Sequence, residues 1–444
     1  MKDKLATYFD FKALGTNFKT ETIAGITTFL SMAYILFVNP SVLSLSSVEG
    51  LAPGVGMDPG AVFVATALSA ALGTFVMGIY AKYPIALAPG MGVNGFFAYT
   101  LVLGMGIPWE TALAGVLVAG VLFVMLTFSG VREQIINAIP HELKLAISSG
   151  IGLFVTFIGL RISGIITSRP ATLLTLGDLS NGNVLLSIFG LFLIVGLMIK
   201  DVKGAIFYGM SVTAVVGVLF GLINTPTQII GSIPSLAPTF GVAVLHLNNI
   251  FTIEMLMVVL TLLFLDLFDT AGTLVAVATQ AGLMKDGKLP RAQQGFFADA
   301  SATIVGGVLG TSTTVSYVES TSGVAAGGRS GFTSVVTGFC FLIALFFSPL
   351  LSVITSAVTA PALIVVGILM ASSLKDIDWK KFEIAVPAFF TVIMMPLAHS
   401  IITGLAIGFI FYPFTMTLKG RKDEVHPFMY SMAVAFILYF AFRV

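Results

Sequence analysis

Asp266, Asp269, Thr270 and Thr273 fall at positions i, i+3, i+4 and i+7 of an otherwise apolar run from Leu263 to Leu274, so a helix there presents all four on one face. A charged side chain at the centre of a bilayer costs about 2.5–3.5 kcal/mol on insertion scales, so acids in such a run face protein or a wet cavity, not lipid. Two more acids stand in comparable surroundings: Glu319 inside a run of hydroxyl-bearing residues, and Asp299 in the apolar segment before it. Asp299 reads first as an acid that caps a broken helix or bonds neighbouring backbone. Asp266, Asp269 and Glu319 have no basic residue nearby in sequence; the nearest candidate, Arg329, belongs to the cytoplasmic end of its segment. Carboxylates desolvated without a facing cation can take up and release protons, the property a proton-coupled carrier needs.

Asn94 adds an amide that both donates and accepts, against the plainer reading of a turn residue bonding its own backbone. Carboxylate acceptors with one amide suit a small, planar, uncharged heterocycle bearing several N–H donors. Tyr317, Phe96 and Phe97 are candidates for a stacking wall, although in a chain with 38 phenylalanines most aromatic rings serve packing. A strongly anionic cargo is disfavoured by acids without facing cations. Gly90, Gly92 and Gly95 satisfy the G-x-G-x-x-G spacing, but no alternating strand–helix domain surrounds them, so they read as residues for a sharp turn and close helix packing.

The elements that hold these residues are apolar spans. Runs between polar breaks predict helices over 22–39, 61–80, 85–102, 109–128, 143–162, 185–200 and 204–222. A long, uncharged, Pro-rich connection follows at 223–250. The runs then resume over 251–281, 294–309, 312–326, 331–355, 360–373, 383–398 and 401–418, with a last apolar stretch near 427–442 that either crosses or lies at the interface. With a cytoplasmic N-terminus, nineteen of the 22 Lys and Arg fall on inside loops and only Arg161 and Arg169 outside, the remaining one being Arg443. A single miscounted span would invert every later loop and destroy that bias.

Composition agrees: 57% of the 444 residues are hydrophobic, 10% are charged, and mean hydropathy is +1.02. A net charge of +1 with no long basic run argues against a nucleic-acid partner. The single cysteine, Cys340, and four scattered histidines argue against a metal site, and no cofactor is expected. No cleavable signal is evident in the first twenty residues, so the first span is expected to serve as the insertion signal.

Fourteen spans divide at 223–250 into two sevens, and an odd number per half inverts the second relative to the first, a common transporter architecture with the site at the repeat interface. The third segment of each half is abnormal. Tyr83 to Gly95 holds two prolines and three glycines in its later part, and Thr311 to Gly323 is rich in hydroxyls and β-branched residues. Each suits a short extended stretch turning into a half-helix near Met91 or Glu319, where free N–H groups would face a ligand. Non-helical backbone at that depth must be buried or line a cavity.

Four stretches, Gly25 to Pro40, Ala88 to Tyr99, Asp266 to Thr273 and Thr313 to Gly323, resemble the azaguanine-like purine permeases of the nucleobase–ascorbate transporter superfamily. The resemblance covers nearly the whole chain. It implies an all-α polytopic fold of fourteen segments in two inverted repeats, with segments 3 and 10 broken. Segments 1–4 and 8–11 (22–128 and 251–355) would form a core domain. Segments 5–7 and 12–14 (143–222 and 360–418) would form a gate domain against which the core slides. Residues 1–21 would be cytoplasmic, 223–250 extracellular and 419–444 a cytoplasmic tail with a C-terminal apolar helix, and a homodimer is a common assembly of such proteins. Uracil-carrying relatives have Glu-His-x-Gly-His in the eighth segment; Asp269-Thr270-Ala271-Gly272-Thr273 keeps the acid and replaces both histidines, while Tyr317-Val318-Glu319 keeps the Tyr-x-Glu of the tenth.

The resulting expectation is a proton-coupled importer of purine bases in the cell membrane, guanine or hypoxanthine first and adenine as the nearest variant. Asn94, Asp269, Glu319, Tyr317 and Thr273 are the expected substrate contacts, and Asp266, Asp269 and Glu319 the expected proton carriers. The rivals are an anion transporter of the same architecture, which needs a cation in the site, and a membrane-embedded enzyme using paired carboxylates.

Overall fold

The computed structural model describes residues 2–46, 48, 50–129, 138–169, 172–226, 228–284 and 289–442. Arg132, Lys285, Lys288 and Arg443, which enter the loop-charge argument, lie outside the described residues. Nine helices among the described residues are long and apolar enough to cross a membrane, and Met91–Gly104, Ala205–Leu219, Phe382–Leu397 and Pro427–Ala441 are shorter apolar helices.

The first half runs α1 (Phe18–Leu43), α2 (Pro59–Ala81), β1 (Leu87–Pro89), α3 (Met91–Gly104), α4 (Trp109–Ser129), α5 (His141–Ile162), a β2–β3 hairpin (Ile166–Arg169 and Leu173–Leu176), α6 (Gly182–Ile199) and α7 (Ala205–Leu219). The second runs α8 (Ile253–Gln280), α9 (Ala292–Leu309), β4 (Thr314–Ser316), α10 (Ser320–Ala325), α11 (Gly331–Val353), α12 (Ser356–Asp376), α13 (Phe382–Leu397) and α14 (Ile401–Leu418), with α15 (Pro427–Phe442) last. Helix starts carry their caps: Asn17 accepts from Thr20 N, Asp58 from Ala61 N ahead of Pro59, Thr252 from Met255 N and Ser400 from Thr403 N.

Each apolar run read from the sequence holds a helix or a broken helix. The ends differ where polar residues sit inside the helix: α1 begins at Phe18, four residues ahead of the run read from 22, because its first turn contains Lys19 and Glu21. Glu21 is fully buried there and accepts from Thr16 Oγ1 (2.7 Å), Arg329 N (2.9 Å), Ser330 N (3.2 Å) and Thr333 Oγ1 (2.5 Å), stapling α1 to the α10–α11 connection. The β2–β3 hairpin fills the gap between the runs 143–162 and 185–200; its four-residue strands are too short to show alternation, and mostly exposed.

Packing divides the helices into two groups. In one, α9 lies on α4 and α2, α11 on α1 and α2, α10 on α1, and α8 on α4. In the other, α5 lies along α12 and α13, α6 on α7 and α12, and α13 on α14. Close approach in the second group depends on small residues: a Cβ on Gly152 would come within 2.6 Å of the Gly367 carbonyl oxygen, and one on Gly367 within 2.1 Å of Thr156 Oγ1. The groups touch where α3 and α8 meet α5 and where α1 meets α7 and α12.

The two interrupted segments meet each other. β1 and β4 pair antiparallel, Leu87 opposite Ser316, Ala88 opposite Val315 and Pro89 opposite Thr314. Backbone polar groups removed from water must be paired, and here neighbours complete the accounting: Gly90 N donates to Thr313 O (3.0 Å), Tyr317 N to Ala86 O (2.9 Å), Ala86 N to Ser320 Oγ (3.0 Å) and Leu87 N to Thr74 Oγ1 (2.9 Å).

Candidate functional site

The paired strands hand the chain directly to two helix starts. α3 begins at Met91, and Asn94 follows one turn later; Glu319 is the residue immediately before α10. Pro84 and Pro89 keep β1 from continuing a helix, while Thr313, Thr314 and Val315 favour extended backbone in β4. Both turns are therefore anchored to one small sheet.

Glu319 is partly exposed, and its Oε1 accepts the Tyr34 hydroxyl at 2.7 Å. Tyr34 is buried (1% exposed) and comes from α1. Tyr317, two residues before Glu319, donates its hydroxyl to Pro89 O at 2.5 Å, so its polar end is spent on tying the strands while its ring remains beside the site. Asp269 is also partly exposed. It makes no hydrogen bond or ion pair among the described residues, and it interacts electrostatically with Asp299, Glu319, Tyr34 and Tyr317. Asp269 and Glu319, from α8 and the start of α10, thus lie within one electrostatic neighbourhood. Glu319 likewise forms no ion pair among the described residues; the pairs present, Lys82–Asp10, Lys381–Asp378, Arg421–Glu383 and Arg421–Glu424, lie elsewhere.

Asp266 belongs to a second, drier layer. It is 2% exposed, 3.3 Å from Thr303 Oγ1 and 3.4 Å from Thr270 Oγ1. Thr270 donates at 2.6 Å to Asp299 Oδ1, which also takes Ser316 Oγ at 3.2 Å. Asp299 is fully buried, and it joins α8, α9 and β4 through hydroxyls, a more central place than a simple helix cap. Thr273 lies on the same face of α8, 8% exposed. Asn94 is fully buried, with Oδ1 accepting from Ser312 Oγ and Nδ2 donating to the Met91 sulfur at 3.8 Å.

Of the residues singled out by sequence, Asp269 and Glu319 are brought together with open acceptor capacity. Asp266 sits behind them, and Asn94 is held against the β4 side. Phe96 and Phe97, expected as a stacking wall, are fully buried in the main core and offer no accessible face, because that part of α3 is enclosed by its neighbours. Tyr34, Ser312 and Asp299 carry more of the arrangement than their sequence signals suggested. Tyr34 stands in the Gly25 to Pro40 stretch, but nothing local in sequence points its hydroxyl at a residue so distant along the chain.

Chemically, this is a partly open site with two acceptor carboxylates, adjacent phenols and a buried amide. It can receive several N–H donors from a flat neutral molecule. Residues 19–407 match the permease family. The chain is 62% identical over 438 residues to the guanine/hypoxanthine permease PbuG of Bacillus subtilis, covering 99% of this chain and 100% of that one. It is 39% identical over 439 residues to the adenine permease AdeP of Escherichia coli, covering 99% and 96%. Among solved structures, the transmembrane domain of a cyanobacterium bicarbonate transporter, BicA, is similar with a TM-score of 0.62 at 15% identity, covering 88% of this chain and 96% of that one, a likeness of fold alone.

Proposed function

Because the chain belongs to the permease family, the nucleobase–ascorbate transporters, we propose that it imports guanine and hypoxanthine across the plasma membrane together with protons. That it is a nucleobase permease and not an enzyme follows from its relatives. The choice of guanine and hypoxanthine is supported by the higher identity to PbuG than to AdeP.

The observation that carries the reading is the pairing of Asp269 and Glu319, two acceptors in one site that form no ion pair among the described residues. Glu319 accepts from N–H donors on the pyrimidine edge of the base. Asp269 accepts from the imidazole N–H, since Asp266 already has Thr270 and Thr303 against it. Asn94 reaches the base once Ser312 releases it. An inorganic anion would meet two carboxylates here, which disfavours the anion-transporter reading. One of the acids carries the coupled proton, neutralising charge that would otherwise cross a low-dielectric path.

Transport proceeds by sliding of one helix group against the other. The separate packing of α1–α4 with α8–α11, and of α5–α7 with α12–α14, supports a core that carries the site and a gate that stays. Fourteen spans in two inverted sevens, with the N-terminus cytoplasmic, are supported by the meeting of β1 and β4 from corresponding broken segments and by the loop-charge bias.

The test is accumulation of labelled guanine and hypoxanthine in cells stripped of their own purine permeases, with and without a protonophore. Accumulation that collapses with the proton gradient is expected. Uptake indifferent to the gradient would remove the coupling, and absence of purine uptake would remove the cargo.

A further inference from the structure

Tyr34 sits where α1 tightens. Leu36 N bonds Ala33 O at 3.2 Å and Phe37 N bonds Tyr34 O at 3.1 Å, a short turn of i→i+3 type between Met32 and Ile35. The neighbours Ala33, Tyr34, Ile35 and Leu36 are all 2% exposed or less, so the phenol has no room to swing. Its hydroxyl donates to Glu319 Oε1 at 2.7 Å, and the carboxylate also takes its own backbone N–H. The last torsion of a glutamate is broad and soft, so a short bond to a rigid phenol helps to set the plane of this carboxylate.

We propose that Tyr34 is a positioning residue that takes up part of the acceptor capacity of one Glu319 oxygen, and thereby levels the site's preference between purines that carry one and two N–H donors on the pyrimidine edge. The proposal rests on the reading of Glu319 as a substrate acceptor. Hypoxanthine offers that edge one donor, N1–H. Guanine offers two in parallel, N1–H and an exocyclic amino N–H, a pair matched to both oxygens of a carboxylate. With Oε1 already accepting from Tyr34, guanine's second donor has to share that oxygen with the phenol in a restricted direction, and its advantage over hypoxanthine is small. Remove the hydroxyl and keep the ring, and guanine's second donor no longer shares Oε1, while hypoxanthine still offers one donor and loses the fixed acceptor.

Competition by unlabelled guanine and hypoxanthine against labelled hypoxanthine uptake, in cells expressing wild type, Tyr34→Phe or Glu319→Gln, reads this directly. In Tyr34→Phe the guanine-over-hypoxanthine affinity ratio is expected to rise about five- to tenfold, the scale of one ordinary net hydrogen bond. A packing defect alone would change the amount of protein or the maximal rate and leave the ratio at its wild-type value, and that result overturns the proposal. Should Tyr34→Phe accumulate but not transport, the same ratio is read from thermal stabilisation of the purified protein by each base. Should it fail to accumulate, Glu319→Asp, which draws the carboxylate back from the phenol, must show the same rise. Wild-type affinities for both bases in Glu319→Gln would overturn the parent reading and this proposal with it; impaired affinities there beside an unchanged ratio in Tyr34→Phe overturn the role of Tyr34 alone.

Discussion

The Tyr317 hydroxyl donates to the carbonyl oxygen of Pro89 at 2.5 Å, a bond that crosses from the tenth segment to the third where both chains leave helical geometry. Glu319 follows two residues later, so its backbone is carried by the same tie. Tyr317→Phe keeps the ring and removes the tie, leaving the Pro89 carbonyl buried without that donor. A loss of about 1–3 kcal/mol in thermal or denaturant stability is expected, with substrate affinity within about twofold of wild type if only the ring touches the base. Stability in detergent and KM for uptake, measured side by side, check this. A large rise in KM with unchanged stability would move the hydroxyl from the scaffold to the substrate.

Gly92 places α3 against α5: a Cβ there would come within 2.6 Å of Ile151 Cγ2. This is a contact between the two helix groups. Gly92→Ala is therefore expected to lower the maximal uptake rate about tenfold or more with KM little changed, the pattern for a slowed conformational step, and Ile151→Ala in the same chain should recover much of the rate. Equal loss in the double variant would show that the glycine serves something other than passage along this seam.

His399 lies in the turn between α13 and α14 with φ 51°. Its Nε2 is 3.4 Å from Arg161 Nη1, its ring meets Phe157 edge-on at 5.0 Å and Phe154 at 6.1 Å, and its carbonyl takes Thr100 Oγ1 of α3 at 3.5 Å. Burial, aided by the Arg161 guanidinium, holds the imidazole below its usual range. The unfolded chain then binds this proton more readily than the folded one. The contribution to stability is full above the unfolded value near pH 6.5 and is lost as pH falls from there toward the folded value. The melting temperature of the purified protein is expected to drop between about pH 7 and pH 5, and His399→Gln should flatten that drop. An unchanged slope in the variant would assign the acid sensitivity to other groups.

Much of this was legible beforehand because it depends on local chemistry. The spacing from Asp266 to Thr273 puts four polar residues on one face of α8, where Asp266, Thr270 and Thr273 are buried and Asp269 is partly exposed. Pro84, Pro89 and the run from Thr311 to Ser316 announced that segments 3 and 10 could not be continuous helices, and they are not. What stayed hidden depends on distant parts of the chain. Nothing near Tyr34 names Glu319 as its partner, and nothing near Ser312 names Asn94. The sorting of acids also required the fold: Asp266 and Asp269 are one turn apart, yet one faces Thr270 and Thr303 while the other keeps its acceptors open. Phe96 and Phe97 show the same limit, since an aromatic beside a candidate ligand residue can face the core or the cavity, and helix packing decides which.

Equilibrium binding of labelled guanine to the purified protein and to its Asp269→Asn, Glu319→Gln and doubly substituted forms tests the central claim most directly. If the two carboxylates clasp one base, each single change should weaken binding about tenfold or more, and the double change should cost less than the sum of the two in free energy. Wild-type affinity in either single variant would mean that guanine binds somewhere else.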